Sequence, residues 1–418
     1  MGQLSDDCFA FGGALMRVEE ALALVAERLP PVSGTERVGL AEAAGRVLAA
    51  DLCSPLDVPP FANSAVDGYA VRHADLAPEG ETLLPVGGRV AAGGSLGRPI
   101  RPGEAIRIFT GAPMPEGADT VFMQEDAEAL PDGRVRLPPG LARGANARAA
   151  GEDVAAGSVI LRAGRRLRPQ DVGLAASIGV TSLEVRRPLR VAVFSTGDEI
   201  AEPGTPLGPG RLYDSNRFTL GAALRGLGCA VTDLGILPDR RDAVASALRD
   251  AAPAHDLLLT SGGVSTGEED HVKAAVEAAG SLFLWRLAIK PGRPVAMGQV
   301  GGTAFIGLPG NPVAVMVTFA HVVRPVALRL MGATVTPPAR FAVRAAFAYR
   351  KKPGRREYVR VTLALGEDGA TEARKFPREG AGLLSSLVES DGLVELGEEV
   401  RTVAPGDTVA FLPYSELA

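Results

Sequence analysis

The sequence predicts a multidomain α/β protein: a doubly wound α/β domain, an inserted mainly-β domain, a mixed N-terminal domain and a C-terminal β-barrel-like domain. Three observations predict it. Residues 189–308 alternate short apolar runs with helical stretches, the pattern of a mainly parallel sheet covered on both faces. Residues 54–145 carry only short β-like runs between Pro/Gly turns, with no long helical pattern. The 418 residues, at roughly 100–200 per domain, leave room for two to four domains.

Taken in order, Leu15, Val18, Leu22, Val25 and Leu29 recur at helical spacing with charges between them, and Pro30-Pro31 ends that helix. A second helical stretch is expected over about 40–50. The proline-rich segment 54–71 then loses all periodicity and marks a boundary. RPGEAIRIF, ADTVFMQE and GRVRL read as strands of the β domain. Mixed character returns over 146–187, with a helix at 169–178 opened by Pro169, whose fixed φ suits a first helical turn. The β domain is therefore an insertion. These readings place a discontinuous N-terminal domain at 1–53 and 146–187, the insertion at 54–145, the α/β domain at 188–332 and the C-terminal domain at 333–418. The α/β domain closes with a helix at 312–331, and FAVRAAFAY, EYVRVTLAL and DTVAFL suggest a terminal barrel or sandwich.

Composition narrows the function classes. With 46% apolar and 22% charged residues the chain is globular rather than disordered. A net charge of −5 provides no global attraction to nucleic acid or an anionic membrane, and 5% aromatic content argues against a base-stacking surface. Cys8, Cys53 and Cys229, with four scattered histidines, match neither a zinc spacing nor a disulfide framework, so a cytoplasmic location is expected. No basic-then-apolar leader opens the chain, and the apolar stretch 312–331 is interrupted by His321, Arg324, Pro325 and Arg329, so neither export nor a membrane span is expected.

Ligands of open parallel sheets bind beyond the carboxyl ends of the strands. Here those ends carry STGDE, LPD, SGGVSTGEED, AIKPGRP and GLPGNP. In SGGVSTG, Ser261, Gly262, Gly263 and Ser265 lie between a strand and a helix, where successive backbone N–H groups can cradle a phosphate; Pro309 lies on the neighbouring GLPGNP loop. No GK[ST] accompanies the loop, so it is not a Walker A motif. GVSTG is also a literal GxSxG, raising a serine-hydrolase alternative at Ser265 in which only His271 and His321 follow as candidate bases. Asp198, Glu199, Asp239, Glu268, Glu269 and Asp270 would bring hard oxygen ligands to one sheet edge, chemistry that favours Mg²⁺, although Asp239 and Asp270 also stand where an aspartate caps a helix. Only five of the 44 basic residues are lysines, which makes Lys290 conspicuous. With Arg293 it offers a compact and a forked cation to an oxyanion such as phosphate or a tetrahedral metal oxide. If 282–289 is a strand, Arg286, Ala288 and Lys290 share a face, so that Arg286 either extends the patch or is simply solvated. The basic run RKKPGRREYVR is expected to be a charged hairpin tip.

Eight segments in order carry a resemblance: PPFANSAVDGYAV, RIFTGAPMPEGADTVFMQED, NARAAGEDV, VAVFSTGDEI, LYDSNR, SGGVSTGEEDHVK, AIKPGRPVAMG and GLPGNPVAV. Over residues 15 to 415 the chain resembles the MoeA family of molybdopterin molybdenumtransferases, which includes the C-terminal domain of gephyrin. The resemblance implies an elongated four-domain subunit with a MogA-like α/β domain, a homodimer, and insertion of molybdenum from molybdate into adenylated molybdopterin with Mg²⁺ and release of AMP. It implies Asp67, Thr110, Arg148 and Asp153 as cleft residues reaching the other subunit, with Glu199, Asp239, Asp270, Arg286 and Lys290 on the large domain and Arg355 on the C-terminal domain. Asp67, Asp153, Glu199, Asp239 and Asp270 would be the catalytic acids, and the last three the Mg²⁺ ligands. A MogA-type adenylyltransferase and molybdoenzyme maturation proteins become candidate partners. A non-catalytic, gephyrin-like scaffold is the competing reading. Two departures stand out: Arg286 where the family often has lysine, and Ala381, in REGAGLLSSL, where a serine hydroxyl is common.

Overall fold

A computed structural model describes residues 15–263 and 271–417. The chain forms two compact units, one from the described parts of 1–49, 164–167 and 184–418, the other from 50–163 and 168–183.

The larger unit is built on a six-stranded sheet in the order Ala230–Leu237, Arg190–Thr196, Leu257–Ser261, Thr303–Leu308, Pro294–Val300, Gly280–Arg286. The first four strands run parallel, and the last two join through antiparallel pairings. Period-two alternation explains the double winding. Along Arg190–Thr196, Val191 and Val193 enter a core with Leu220, Leu224 and the helix at 312–330, while Ala192 and Phe194 enter the opposite core with Val244, Leu248, Val272 and Val276. Each such buried side chain contributes about 1.5–3 kcal/mol, so both faces are committed.

The first helix is Val18–Arg28, begun by a bond from the Arg17 N–H to Glu20 Oε2 at 3.0 Å. The expected helix over 40–50 is not formed. Only the 3₁₀ turn Leu40–Glu42 appears; Gly45 takes a φ of 80°, and Val47 and Leu48 make β-bridges to Arg166 and Val185. Burial of these two side chains overrides a weak helical pattern. The helical stretch at 312–330 comprises Pro312–Thr318, a π-turn at Phe319–Val323 and Arg324–Leu330. It is long and apolar enough to cross a membrane, yet 78% of it is buried inside the protein, as for a core helix.

Beyond 340, the strands Arg356–Leu365, Thr371–Lys375, Phe341–Ala345, Thr408–Pro413 and Gly392–Leu396 pair in sequence, and the last pairs with the first. The result is a closed five-stranded barrel, which decides between barrel and sandwich. Closure leaves no edge among these strands.

The smaller unit holds a six-stranded sheet in the order Thr120–Met123, Gly68–Val71, Ala105–Ile108, Thr82–Val90, Arg134–Leu137, Glu128–Ala129. Its faces bury Tyr69, Val71, Phe122 and Leu137 on one side and Ala70, Ile106, Ile108 and Val121 on the other. The helix Pro169–Ser177 begins with Arg168 N–H donating to Asp171 Oδ2 at 2.9 Å.

Candidate functional site

The parallel strands end where the loops were expected to gather ligands. Thr196 Oγ, at the end of its strand, donates to Asp239 Oδ1 at 3.1 Å, joining two loops. Ser261 is buried, accepts a bond from Asn216 Nδ2 at 2.9 Å, and sits beside the Pro309 carbonyl, 3.4 Å from its hydroxyl. Asn216 also donates to the Gly310 carbonyl at 2.7 Å. Gly263 has a φ of 66°, and a Cβ there would stand 2.4 Å from a Val272 methyl; only glycine lets the chain turn so close to the helix that follows. Gly262, with a φ of 94°, donates its N–H to the Leu308 carbonyl at 3.0 Å. Ser265 and Asp270 lie outside the described residues. Glu199 is exposed, and no three His, Cys, Asp or Glu side chains converge as a metal site among the described residues. Glu199 and Asp239 are carboxylates, the hard-oxygen ligand type that Mg²⁺ accepts.

The loop bearing Glu199 is anchored by a residue that carried no assignment in the sequence. Arg217, 4% exposed, reaches Asp214 at 2.9 Å and also bonds Glu202 and Asp233. These three carboxylates raise its pKa against the opposing effect of burial. It thereby ties the 200–213 excursion to the strand that leads to Asp239.

Lys290 stands apart from the sheet edge. The antiparallel ladder of Gly280–Arg286 ends at the Arg286–Pro294 pair, and the chain next pairs Ile289 with Arg356 and Lys290 with Glu357 of the barrel. The conditional strand over 282–289 is thus broken. Ala288 is buried while Arg286 and Lys290 are exposed, so the three do not share a face, and Arg286 is not among the residues lining the Lys290 pocket. Arg293 is also exposed and outside that lining; its carbonyl accepts the Leu287 N–H at 2.9 Å.

Glu357 is the centre of this pocket. It is 1% exposed and accepts from Lys290 Nζ at 3.2 Å, Tyr349 Oη at 2.8 Å and Arg355 Nε at 2.8 Å. Burial would raise its pKa, but these donors hold it below the usual value. Arg355 therefore meets Lys290 through a shared carboxylate. Around them a cavity of roughly 200 Å³ is lined by Arg360, Lys375, Arg378, Glu379 and Ala381, among others. Nearby, Lys351 is buried and donates to the carbonyls of Gly397, Glu398 and Val400, while Arg350, Lys352, Pro353 and Gly354 are exposed where one strand gives way to the next, so the basic run is a charged turn with one tethered lysine. The signal for Glu357 was its position as the lone acid in an arginine-rich strand.

In the smaller unit, Asp67 Oδ1 accepts both the Thr110 N–H at 2.8 Å and the Thr110 hydroxyl at 2.9 Å. Those bonds, with Arg107 adding a weaker effect, lower the Asp67 pKa. Arg148 pairs in register with Asn63, four residues before Asp67, and exposed Asp153 donates its N–H to the Val58 carbonyl at 2.9 Å.

The Ser265 hydrolase alternative loses one of its bases. His321 stacks on Tyr358 at 4.3 Å between ring centroids within the core helix, and burial lowers its pKa to about 3.

Three family models match in order along the chain: the MoeA N-terminal region (domain I and II) at 16–179, a probable molybdopterin binding domain at 192–329, and the MoeA C-terminal region (domain IV) at 342–414. The molybdopterin molybdenumtransferase of Haemophilus influenzae is 40% identical over 404 residues, covering 96% of this chain and all of that protein. The chain belongs to the MoeA family. A MoeA relative named molybdopterin molybdenumtransferase 2, from Mycobacterium tuberculosis, is 38% identical over 381 residues, 88% of this chain and 92% of its own. Two MoeA structures described as molybdopterin biosynthesis proteins of Pyrococcus horikoshii superpose over 96% of this chain. They cover 99% and 100% of their own chains, with TM-scores of 0.74 and 0.80 at 30% and 29% identity. The multidomain α/β architecture expected from the sequence is thus that of the MoeA family.

Proposed function

We propose that this protein is a molybdopterin molybdenumtransferase that inserts molybdenum from molybdate into adenylated molybdopterin and releases AMP in molybdenum cofactor biosynthesis. The observation that carries the reading is the Lys290 pocket. Among the described residues its lining has four cations, Lys290, Arg360, Lys375 and Arg378, against two carboxylates, Glu357 and Glu379. An excess of two positive charges in a concave site suits a tetrahedral dianion. The glycine turn at 262–263 supports a place for the phosphorylated pterin at the sheet edge, with Ser261, Asn216 and the Pro309–Gly310 backbone shaping its wall.

In this reading Lys290, oriented by Glu357 with Arg355 on the same carboxylate, neutralises the oxyanion and holds it while the two dithiolene thiols bind molybdenum and pass their protons to one oxo group, which leaves as water. Glu199 and Asp239, with Asp270, would hold Mg²⁺, which would neutralise the phosphates when bound. Asp67, Thr110, Arg148 and Asp153 complete the cleft of the other subunit in a cytoplasmic homodimer. A MogA-type adenylyltransferase upstream and molybdoenzyme maturation proteins downstream would be its partners.

The test incubates pure protein with adenylated molybdopterin, molybdate and Mg²⁺ and measures AMP and active cofactor. Lys290→Ala should weaken molybdate binding roughly tenfold or more, the scale of one charge-assisted hydrogen bond, while leaving the fold intact. Mixing Asp67→Ala and Lys290→Ala subunits should restore activity if the site is composite. Ligand binding without AMP release would instead favour a scaffold.

A further inference from the structure

We propose that Lys375 is a second anion-binding cation of the Lys290 pocket and that Glu379 is its displaceable counter-ion, the group that an incoming molybdate dianion replaces. The inference rests on the reading of that pocket as an oxyanion site and goes beyond it by assigning two residues with opposite effects on affinity.

The two carboxylates of the pocket are held differently. Glu357 is sealed, with a side chain 2% exposed and three donors converging on it, so it cannot leave without stranding Lys290, Arg355 and Tyr349. Glu379 has a side chain 72% exposed and pairs with Lys375 Nζ at 2.7 Å. An ion pair with so solvated a carboxylate gains little net energy, because water competes for both groups, and it exchanges readily for another anion. The field that acts on Glu379 is the field a ligand would meet. Its carboxyl is held below the ordinary range first by Lys375, and then by Lys290 and Arg360.

Lys375 is itself well placed to stay. Its side chain is 23% exposed, and its ammonium lies 5.5 Å from the centroid of the Tyr349 ring, whose hydroxyl donates to Glu357. The cation is thus set against the same network that orients Lys290. The wall between them has no hydroxyl to offer at 381, where alanine contributes only its carbonyl, accepting the Val313 N–H at 3.0 Å. With Glu379 displaced, Lys375 provides the anion contact that this wall lacks.

Molybdate binding to the full-length protein, followed by isothermal titration at low ionic strength, tests the assignment. Glu379→Gln should tighten binding about threefold or more, Lys375→Ala should weaken it by a similar factor or more, and Lys375→Arg should stay near the parent. Weaker or unchanged binding by Glu379→Gln overturns the counter-ion role. Unchanged binding by Lys375→Ala, when Lys290→Ala weakens it, overturns this inference and leaves the pocket reading standing. Failure of Lys290→Ala to change binding, or failure of molybdate to bind the parent, removes the pocket reading and this inference with it. Circular dichroism and thermal unfolding of each variant separate these outcomes from loss of fold.

Discussion

Two acid-bearing regions of the larger unit use charge in opposite ways. At the end of the parallel sheet, Glu199 is exposed and Asp239 accepts one bond from a threonine hydroxyl, so their charges are open to whatever arrives. At the junction with the barrel, Glu357 is buried and spends its charge on two cations and a phenol of the protein itself. A carboxylate kept in water can take a cation at little cost, because it is not already committed. A carboxylate taken out of water must be satisfied within the fold, and it then serves to orient its partners. The first region leaves its carboxylates accessible, whereas the second fixes the positions of Lys290 and Arg355.

The contrast breaks most clearly at Glu357. Glu357→Ala should lose about 1.5–3 kcal/mol of stability, the scale of hydrogen bonds to a charged group, and should also abolish high-affinity molybdate binding. Urea denaturation and titration calorimetry check both losses. Survival of binding in a destabilised variant would show that Lys290 needs no buried partner.

A second, smaller effect is in pH. The folded-state pKa of Glu357 is depressed below 4.5, so its contribution is fully present above the unfolded value and is lost as pH falls through the folded one. The stability gap between the parent and Glu357→Gln should therefore narrow below about pH 4.5 and be constant at neutral pH. A gap that widens on acidification contradicts the ionised assignment.

The smallest effect belongs to the sheet edge. Asp239→Asn keeps an acceptor for Thr196, so stability should stay within about 0.5 kcal/mol, as for ordinary surface substitutions, while turnover falls. A large loss of stability would make Asp239 a structural residue like Glu357.

Much of this was legible from the residues in order. The strands of the doubly wound sheet, the β runs of the smaller unit and the helix at 169–177 declare themselves because their periodicity is set by burial on one face or on both. Gly262 and Gly263 were legible as a tight strand-to-helix turn for the same local reason. The 40–50 stretch was misread because Val47 and Leu48 find their partners at 166 and 185, far along the chain. Lys290 was conspicuous in a lysine-poor sequence, but its partner was not: Glu357 is 67 residues away and meets it only because the strand Ile289–Lys290 pairs with the barrel strand. The exposed position of Arg286 follows from the same departure of the chain from one sheet to the other. The sequence by itself determined the doubly wound class, most of the element types and the family, since these depend on local periodicity and on motifs. Only tertiary structure decided which charges are buried together, because burial of an ion pair depends on long-range register, which no local pattern encodes.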